Sequence, residues 1–468
     1  MHRCRIARSG RRLAPAARLV RGVSALALAL LAGCATYRPL PLPSGDGARS
    51  VGQLSAPLSA RAWLPAHRFD PADGLDVTEL AILAVANNPD LRSRRDALGV
   101  ARAQAFAAGL LPDPQLGLAA DFPRSNAADL TTAYSAGISA DLGALLTRST
   151  RVAAARSQAQ QVNLELLWAE WQTVAQARLL FDQVTTLQAR QLRLQHERDA
   201  LAPLAAQVQT ALRAGNLTHD AASAGLNALA DVRHRLDDTT VALHQAVADL
   251  HGLLGLAPAA PIDLVGPPWQ ADPSPASVQR ALDALPQRRP DLLALQAGYA
   301  SQEASLRGAI RAQFPAISLG FNTARDTSAV YTHGVTLGIT LPLFDRNRGN
   351  IAIATATRQQ LRDDYAARVL ATRTDIRRLT DDLATLTRAA AAQDRHARAL
   401  AQARRAAEAG WRLGELDWPT YLTIRANALG ADLDRLDLRQ RRATASIALG
   451  ALLGSTDLTP ASARADTP

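Results

Sequence analysis

Lysine is absent from this chain of 468 residues, so all 52 basic residues are arginine. Cysteine occurs twice, methionine once, and aromatic residues make up only 4 %. Two cysteines exclude a disulfide scaffold and a Cys-rich zinc site. One methionine excludes a Met-lined copper or silver pocket. The length alone suggests about three domains, but the shortage of aromatics argues against large globular cores, which rely on them for burial. Alanine and leucine carry the apolar 48 % instead, a composition suited to long, closely packed helices. Past the N-terminal region no apolar run approaches the ~18 residues a membrane-crossing helix needs. The chain also lacks G-x-G-x-x-G, P-loop, G-x-S-x-G, H-E-x-x-H and C-x-x-C patterns, and His196-Glu197 has no second histidine. No catalytic residue, cofactor or metal site is therefore expected, and the chain is not read as an enzyme.

The positive charge is concentrated where it does not last. Residues 1–33 hold seven of the arginines and no acid, and Gly22 to Gly33 is an apolar run ending in Leu31-Ala32-Gly33-Cys34. A basic start, a short apolar stretch and small residues before a cut make a secretory signal. Its ending resembles a bacterial lipobox, which implies cleavage before Cys34 and acylation of that thiol. The alternative is an ordinary signal peptide with an incidental cysteine. Removing seven charges from the formal +10 leaves +3, so nucleic acid is not an expected partner. Position 35 is alanine rather than aspartate, which favours the outer membrane for a lipoprotein, and several acyl chains would anchor it stably.

An internal repeat organises the rest. Pro89-Asp90-Leu91 recurs as Pro290-Asp291-Leu292, and Gly137-Ile138 as Gly338-Ile339, both 201 residues on. Gly215-Asn216-Leu217 returns as Gly414-Glu415-Leu416, and Leu253-Leu254-Gly255 as Leu452-Leu453-Gly454, both 199 residues on. The expected unit is helix, strand, strand, long helix, helix. Residues 34–75 form an extended N-terminal segment, 76–256 the first repeat, 257–276 a Pro-rich linker, 277–454 the second repeat and 455–468 a disordered tail.

Within the repeats, long helices are expected at about 144–213, 218–254, 350–411 and 418–453. Residues 144–202 and 350–409 contain neither glycine nor proline. Leu164, Leu167, Trp171 and Val174, and again Ile376, Leu379, Leu383 and Leu386, step by three and four, the narrow stripe of coiled-coil packing. Strands are expected at about 115–122, 133–142, 316–323 and 331–343. Tyr331, His333, Val335, Leu337, Ile339 and Leu341 share one face, against Thr332, Gly334, Thr336, Gly338 and Thr340 on the other. Such alternation over about ten residues is the pattern of a transmembrane barrel strand. Four strands cannot close a barrel, and an open edge in lipid costs several kcal/mol per unpaired group. The chain is therefore expected to pool its strands with other copies of itself.

Asn88-Pro89-Asp90-Leu91, Leu111-Pro112-Asp113-Pro114, Phe314-Pro315, Leu341-Pro342-Leu343-Phe344 and the two Gly-bearing helix turns, taken with the repeat, resemble the TolC-like outer-membrane factor family over roughly residues 75–455. The resemblance implies a mostly α fold with a transmembrane β-barrel. The assembly would be a homotrimer whose twelve-stranded barrel continues as a periplasmic α-helical barrel. Such proteins are passive exit ducts, joined by a periplasmic adaptor (membrane fusion) protein to an inner-membrane pump, here expected to be of the RND type. Phe344-Asp345-Arg346-Asn347-Arg348-Gly349-Asn350-Ile351 resembles the cobalt–zinc–cadmium heavy-metal branch, or is simply a corner with Gly349 making the turn. Its first-repeat counterpart, Leu142 to Arg148, departs from that branch, so multidrug efflux is the alternative. Type I secretion and a periplasmic coiled-coil scaffold lipoprotein are weaker rivals.

By the same resemblance the turns at 214–219 and 412–417 are the periplasmic tips, where Gly215, Leu217, Leu413 and Gly414 would meet the adaptor. For the two glycines, turn-making alone is an equal reading. Trp418-Pro419-Thr420-Tyr421-Leu422 replaces the Leu-Asp-Val-Leu-Asp-like run of the family. The gate of the family lies just above the second tip as inward-facing acids, and Glu408 is the nearest acid, beside Arg404 and Arg405. Three copies would form an acidic ring attracting cations; the plain alternative is a solvated helix face. The histidines are scattered, and surface positions suit them better than metal ligation.

Overall fold

The computed structural model describes residues 37–42, 50–54, 73–124, 130–268 and 273–454. The chain divides into Met1–Gly47 and Ala48–Pro468. In the first unit the described residues, 37–42, carry no regular structure. Among the described residues, every helix and strand belongs to the second unit. The expected signal, Cys34 and the tail at 455–468 lie outside the described residues.

In chain order the second unit contains α1 (Val77–Asn87), α2 (Pro89–Gly109), β1 (Gln115–Asp121), β2 (Ala133–Asp141), α3 (Gly143–Arg213) and α4 (His219–Leu254). The second repeat gives α5 (Pro275–Arg288), α6 (Pro290–Arg311), β3 (Ile317–Arg325), β4 (Tyr331–Ile339), α7 (Arg348–Arg412) and α8 (Trp418–Leu453). The two repeats match element for element. At 1.5 Å per residue, the 71 residues of α3 span about 105 Å and the 65 of α7 almost as much.

The sequence pattern puts one helix before each pair of strands; the structure has two. Asn88-Pro89 and Arg289-Pro290 break the run, because proline lacks the N–H that would continue the helix and pushes the preceding residue out of helical geometry. Asn88 caps α2 by accepting from Leu91 N–H and donates to the Leu253 carbonyl at 3.0 Å. Its repeat counterpart, Arg289, donates to the Leu452 carbonyl at 3.2 Å. Two different side chains thus pin the same joint to the same place on the returning helix. Arg289 is fully buried, stacked over Trp168 and paired with Asp291, which also binds Arg368. Burial alone would raise the Asp291 carboxyl; the two guanidiniums outweigh it and hold the carboxyl below its ordinary range. Pro275 opens α5 behind the Ser274 cap, so the helix begins inside the stretch read as linker. Pro203 lies within α3, where the absent N–H leaves a gap in the helix ladder.

The strands form one antiparallel sheet in the order β1-β2-β3-β4. β3 runs on to Arg325, beyond the expected end at 323. β4 stops at Ile339, short of the expected 343, because Pro342 cannot donate to the ladder. The register aligns apolar residues across all four strands: Leu116 opposite Ile138, Ile138 opposite Phe321, Phe321 opposite Val335. These side chains are solvent-exposed. The other face is small or polar, with Gly117, Gly137, Asn322 and Gly334 in one row. A Cβ on Gly338 would meet Ser318 Oγ, so the serine hydroxyl would have to turn away. β1 and β4 are both open edges within this chain. Among the described residues no helix is long and apolar enough to cross a membrane.

Candidate docking tips and gate

The sheet lies at one end of α3 and α7, and the turns that join them to α4 and α8 lie at the other. The two turns are built alike. Gly215 (φ +72°) and Gly414 (φ +75°) take the left-handed conformation that glycine alone adopts without strain. Asn216 N–H donates to the Ala211 carbonyl, and Glu415 N–H to the Gly410 carbonyl, both at 2.9 Å. This six-to-one bond closes a helix C-terminus on its αL residue. No other atom lies within 4 Å of a Cβ built on either glycine, so only the backbone conformation demands it. Gly414→Ala should therefore cost about 1–2 kcal/mol, the left-handed penalty for a residue with a Cβ, and thermal unfolding of the full-length protein should register it. An unchanged midpoint would mean that the turn relaxes freely.

Leu413 stands 74 % exposed on the second tip, while Leu217 is half-buried on the first. The repeat counterpart of Leu217 is Leu416, also half-buried. Glu408 is half-buried one turn above the second tip, and its carboxylate binds Arg412 at 2.6 Å rather than Arg404 or Arg405.

A cluster that sequence patterns do not reveal ties the helices together above the tips. Trp411 at the end of α7 stacks on Tyr421 of α8, with centroids 4.9 Å apart and planes at 7°. Trp418 packs beside both rings. A Cβ on Gly225 of α4 would stand 2.9 Å from Trp418, so glycine is what lets α4 approach α8 here. Tyr421 Oη accepts from Arg425 at 2.6 Å, and Arg425 makes a two-pronged pair with Glu197 of α3 at 2.5 and 3.1 Å. Both charges are buried, Arg425 at 8 % and Glu197 at 6 % exposure. Burial opposes the Arg425 charge, but Glu197 and the tyrosine outweigh it and raise its affinity for the proton above the ordinary. Four long helices meet at this one cluster. The sole hint in the sequence was the departure at Trp418 to Leu422, since Glu197 and Arg425 are 228 residues apart.

Farther along α3, Asp182 is 4 % exposed and its Oδ2 has no hydrogen-bond partner. It lines a cavity of about 660 Å³ between α3, α7 and α8, together with Asp394, Arg439 and Arg442. Burial raises its carboxyl from 3.8 to about 6. A carboxyl raised on folding favours the protonated native state, so its burden is absent below about pH 4, grows through pH 6 and is complete above it. Asp182→Asn should stabilise the protein by on the order of 2 kcal/mol at pH 7.5 and leave it unchanged near pH 4. Unfolding midpoints at the two pH values would show this. An equal shift at both would exclude ionisation as the cause. Among the described residues no group of three or more His, Cys, Asp or Glu could hold a metal ion.

Residues 281–455 match the family model described as outer membrane efflux protein. Protein CyaE of Bordetella pertussis is 28 % identical over 409 residues, covering 77 % of this chain and 80 % of that protein. Among solved structures, CusC, described in connection with transmembrane channel formation, aligns with a TM-score of 0.68 at 20 % identity, over 90 % of this chain and 99 % of the other. The open-state Neisseria gonorrhoeae MtrE outer membrane channel gives 0.67 at 18 % identity, over 90 % and 98 %. At such identities the structural likeness establishes the fold, a barrel-forming sheet joined to long helices.

Proposed function

We propose that the chain, whose residues 281–455 match the outer membrane efflux protein family model, works as a passive trimeric exit duct in the outer membrane. The observation that carries this is the four-stranded sheet with an exposed apolar face and two open edges. Pairing β1 of one copy with β4 of the next closes twelve strands around a small, polar interior, and α3, α4, α7 and α8 continue below as the periplasmic tunnel. A duct of this kind supplies no energy, so it needs an inner-membrane pump of the RND type and a periplasmic adaptor. Gly215, Leu217, Leu413 and Gly414 form the surface offered to that adaptor. Exposed Leu413 supplies the apolar contact and the glycines supply the shape. Glu408 is the gate acid, and its pairing with Arg412 would break as the tip rearranges. Acyl chains on Cys34 anchor the mature chain on the periplasmic side.

For cargo we favour divalent heavy-metal cations, on the resemblance of Phe344 to Ile351. The structure corrects the plain alternative for that stretch, a corner turned by Gly349. Gly349 lies inside α7, and the turn is made by Arg346 and Asn347, at φ +48° and +54°. Asn347 is held there by donating to the Ala309 carbonyl at 2.7 Å. Multidrug efflux is the second reading, favoured by the departure at Leu142 to Arg148. A susceptibility panel on a strain lacking this chain decides between them. Sensitisation to cobalt, zinc and cadmium alone is expected. Sensitisation to dyes, detergents and antibiotics alone would replace the metal reading with the multidrug one, and no change in either class would count against an efflux duct.

A further inference from the structure

We infer that Arg325 and the two tyrosines beside it form a binding site for the phosphorylated headgroup of an anionic membrane lipid, on the outward face of the sheet at the end away from the helices. The inference rests on the barrel reading of that sheet. Arg325 is the last residue of β3 and pairs in register with Tyr134 on one side and Tyr331 on the other. All three side chains share the face that carries Leu116, Ile138, Phe321 and Val335. The apolar rows therefore end in a Tyr-Arg-Tyr row. The connections between strands lie just beyond it, where Thr131 N–H donates to the Thr327 carbonyl at 2.9 Å.

Arginine on a lipid-facing surface is costly near the midplane and tolerable only at the interface. Tyrosines mark that interface, because the ring is apolar and the hydroxyl is wet. The Arg325 guanidinium lies over the Tyr331 ring at 5.9 Å, and its Nε is buried without a hydrogen-bond partner. The neighbouring carboxylate is already engaged: Asp326 accepts from the Ser328 and Val330 N–H groups of its own turn. Asp121 pairs in register with Ala133, so it lies on the opposite face of the sheet from Tyr134 and Arg325. Next to the arginine the small residues Ala120 and Ala136 leave a groove of about 630 Å³, bounded by Leu118, Tyr134 and Thr323. A guanidinium with an unpartnered Nε–H, flanked by two phenols and a groove with an apolar wall, fits a phosphate group with its acyl chain alongside. A planar, forked cation suits phosphate better than a point charge does.

The test uses the full-length protein reconstituted in nanodiscs. The probe is a bis-phosphorylated lipid A, compared with its dephosphorylated form and with inorganic phosphate alone, and bound molecules are counted by native mass spectrometry. The parent should retain the phosphorylated lipid at least fivefold over the dephosphorylated one and should not retain inorganic phosphate. Arg325→Gln should abolish that preference, and Arg325→Lys should keep part of it. Equal retention by the parent and Arg325→Gln, or no preference for phosphate in the parent, would overturn the inference. Retention of free phosphate alone would do the same. Heat-modifiable migration of the same samples separates the two levels of failure. An inserted, heat-modifiable protein without lipid preference removes only this site. A protein that never inserts removes the barrel reading and the site with it.

Discussion

Arg425→Ala should destabilise the protein by about 3–5 kcal/mol, among the largest losses expected of any single substitution in the helical region. The reason is the fate of Glu197. Its carboxylate is 6 % exposed and depends on the two-pronged Arg425 contact at 2.5 and 3.1 Å. Removing one member of a buried pair leaves an uncompensated charge, which costs far more than the pair contributed. Tyr421 Oη would lose its partner in the same step. Heat-induced unfolding, followed by circular dichroism on the detergent-solubilised full chain, measures the loss. The double variant Glu197→Leu with Arg425→Met should recover most of it, because an apolar pair of similar volume is often neutral in place of a buried ion pair. Because the cluster joins α3 to α7 and α8 just above the tips, the single variant should also show earlier proteolysis near residues 205–225 and 410–425. A single variant as stable as its parent would mean that water reaches Glu197 and that the pair is not a structural joint.

Why this cluster escaped a sequence reading, while the strands and the two glycine-bearing helix turns did not, is a matter of range. Strand alternation, the glycines at 215 and 414 and the seam of Ile376, Leu379 and Leu383 are local patterns, fixed by residues a few positions apart, whereas the first seam is displaced: Leu164, Leu167 and Trp171 are half-buried and Leu166, Ala169 and Thr173 are buried in their place. Glu197 and Arg425 lie in two helices whose alignment depends on everything between them, and one acid among 42 looks like any solvated acid. The repeat hides some of its own logic in the same way. Asn88 and Arg289 do one job with different chemistry, an amide or a guanidinium reaching the carbonyl of Leu253 or Leu452. Comparison of identities passes over that equivalence. Pro89 and Pro290 did mark helix starts, but the helices before them, α1 and α5, became distinct elements only in three dimensions. The turn at Arg346 and Asn347 was given to Gly349 because glycine is the usual left-handed residue. Here an asparagine tied to the Ala309 carbonyl makes up for the strain.

Val335→Arg and Thr336→Arg are neighbours in sequence, and the fold predicts opposite outcomes for them. Val335 lies in the row of Leu116, Ile138 and Phe321, the only one with a large apolar residue on every strand. Thr336 lies on the other face, beside Gly320 and in line with Ser139 and Gln115. An arginine on the lipid side near mid-depth costs about 2–4 kcal/mol. In a trimer each substitution appears three times, so the assembled barrel would carry about 6–12 kcal/mol. Val335→Arg should therefore fail to yield heat-modifiable protein in the membrane fraction. Thr336→Arg should insert, since its guanidinium can remain in the water of the duct, and should lower conductance in planar bilayers by narrowing it. Two equally well inserted variants would place the apolar face away from lipid and end the barrel argument. A reversed result, with Thr336→Arg failing and Val335→Arg inserting, would mean that the sheet faces the other way.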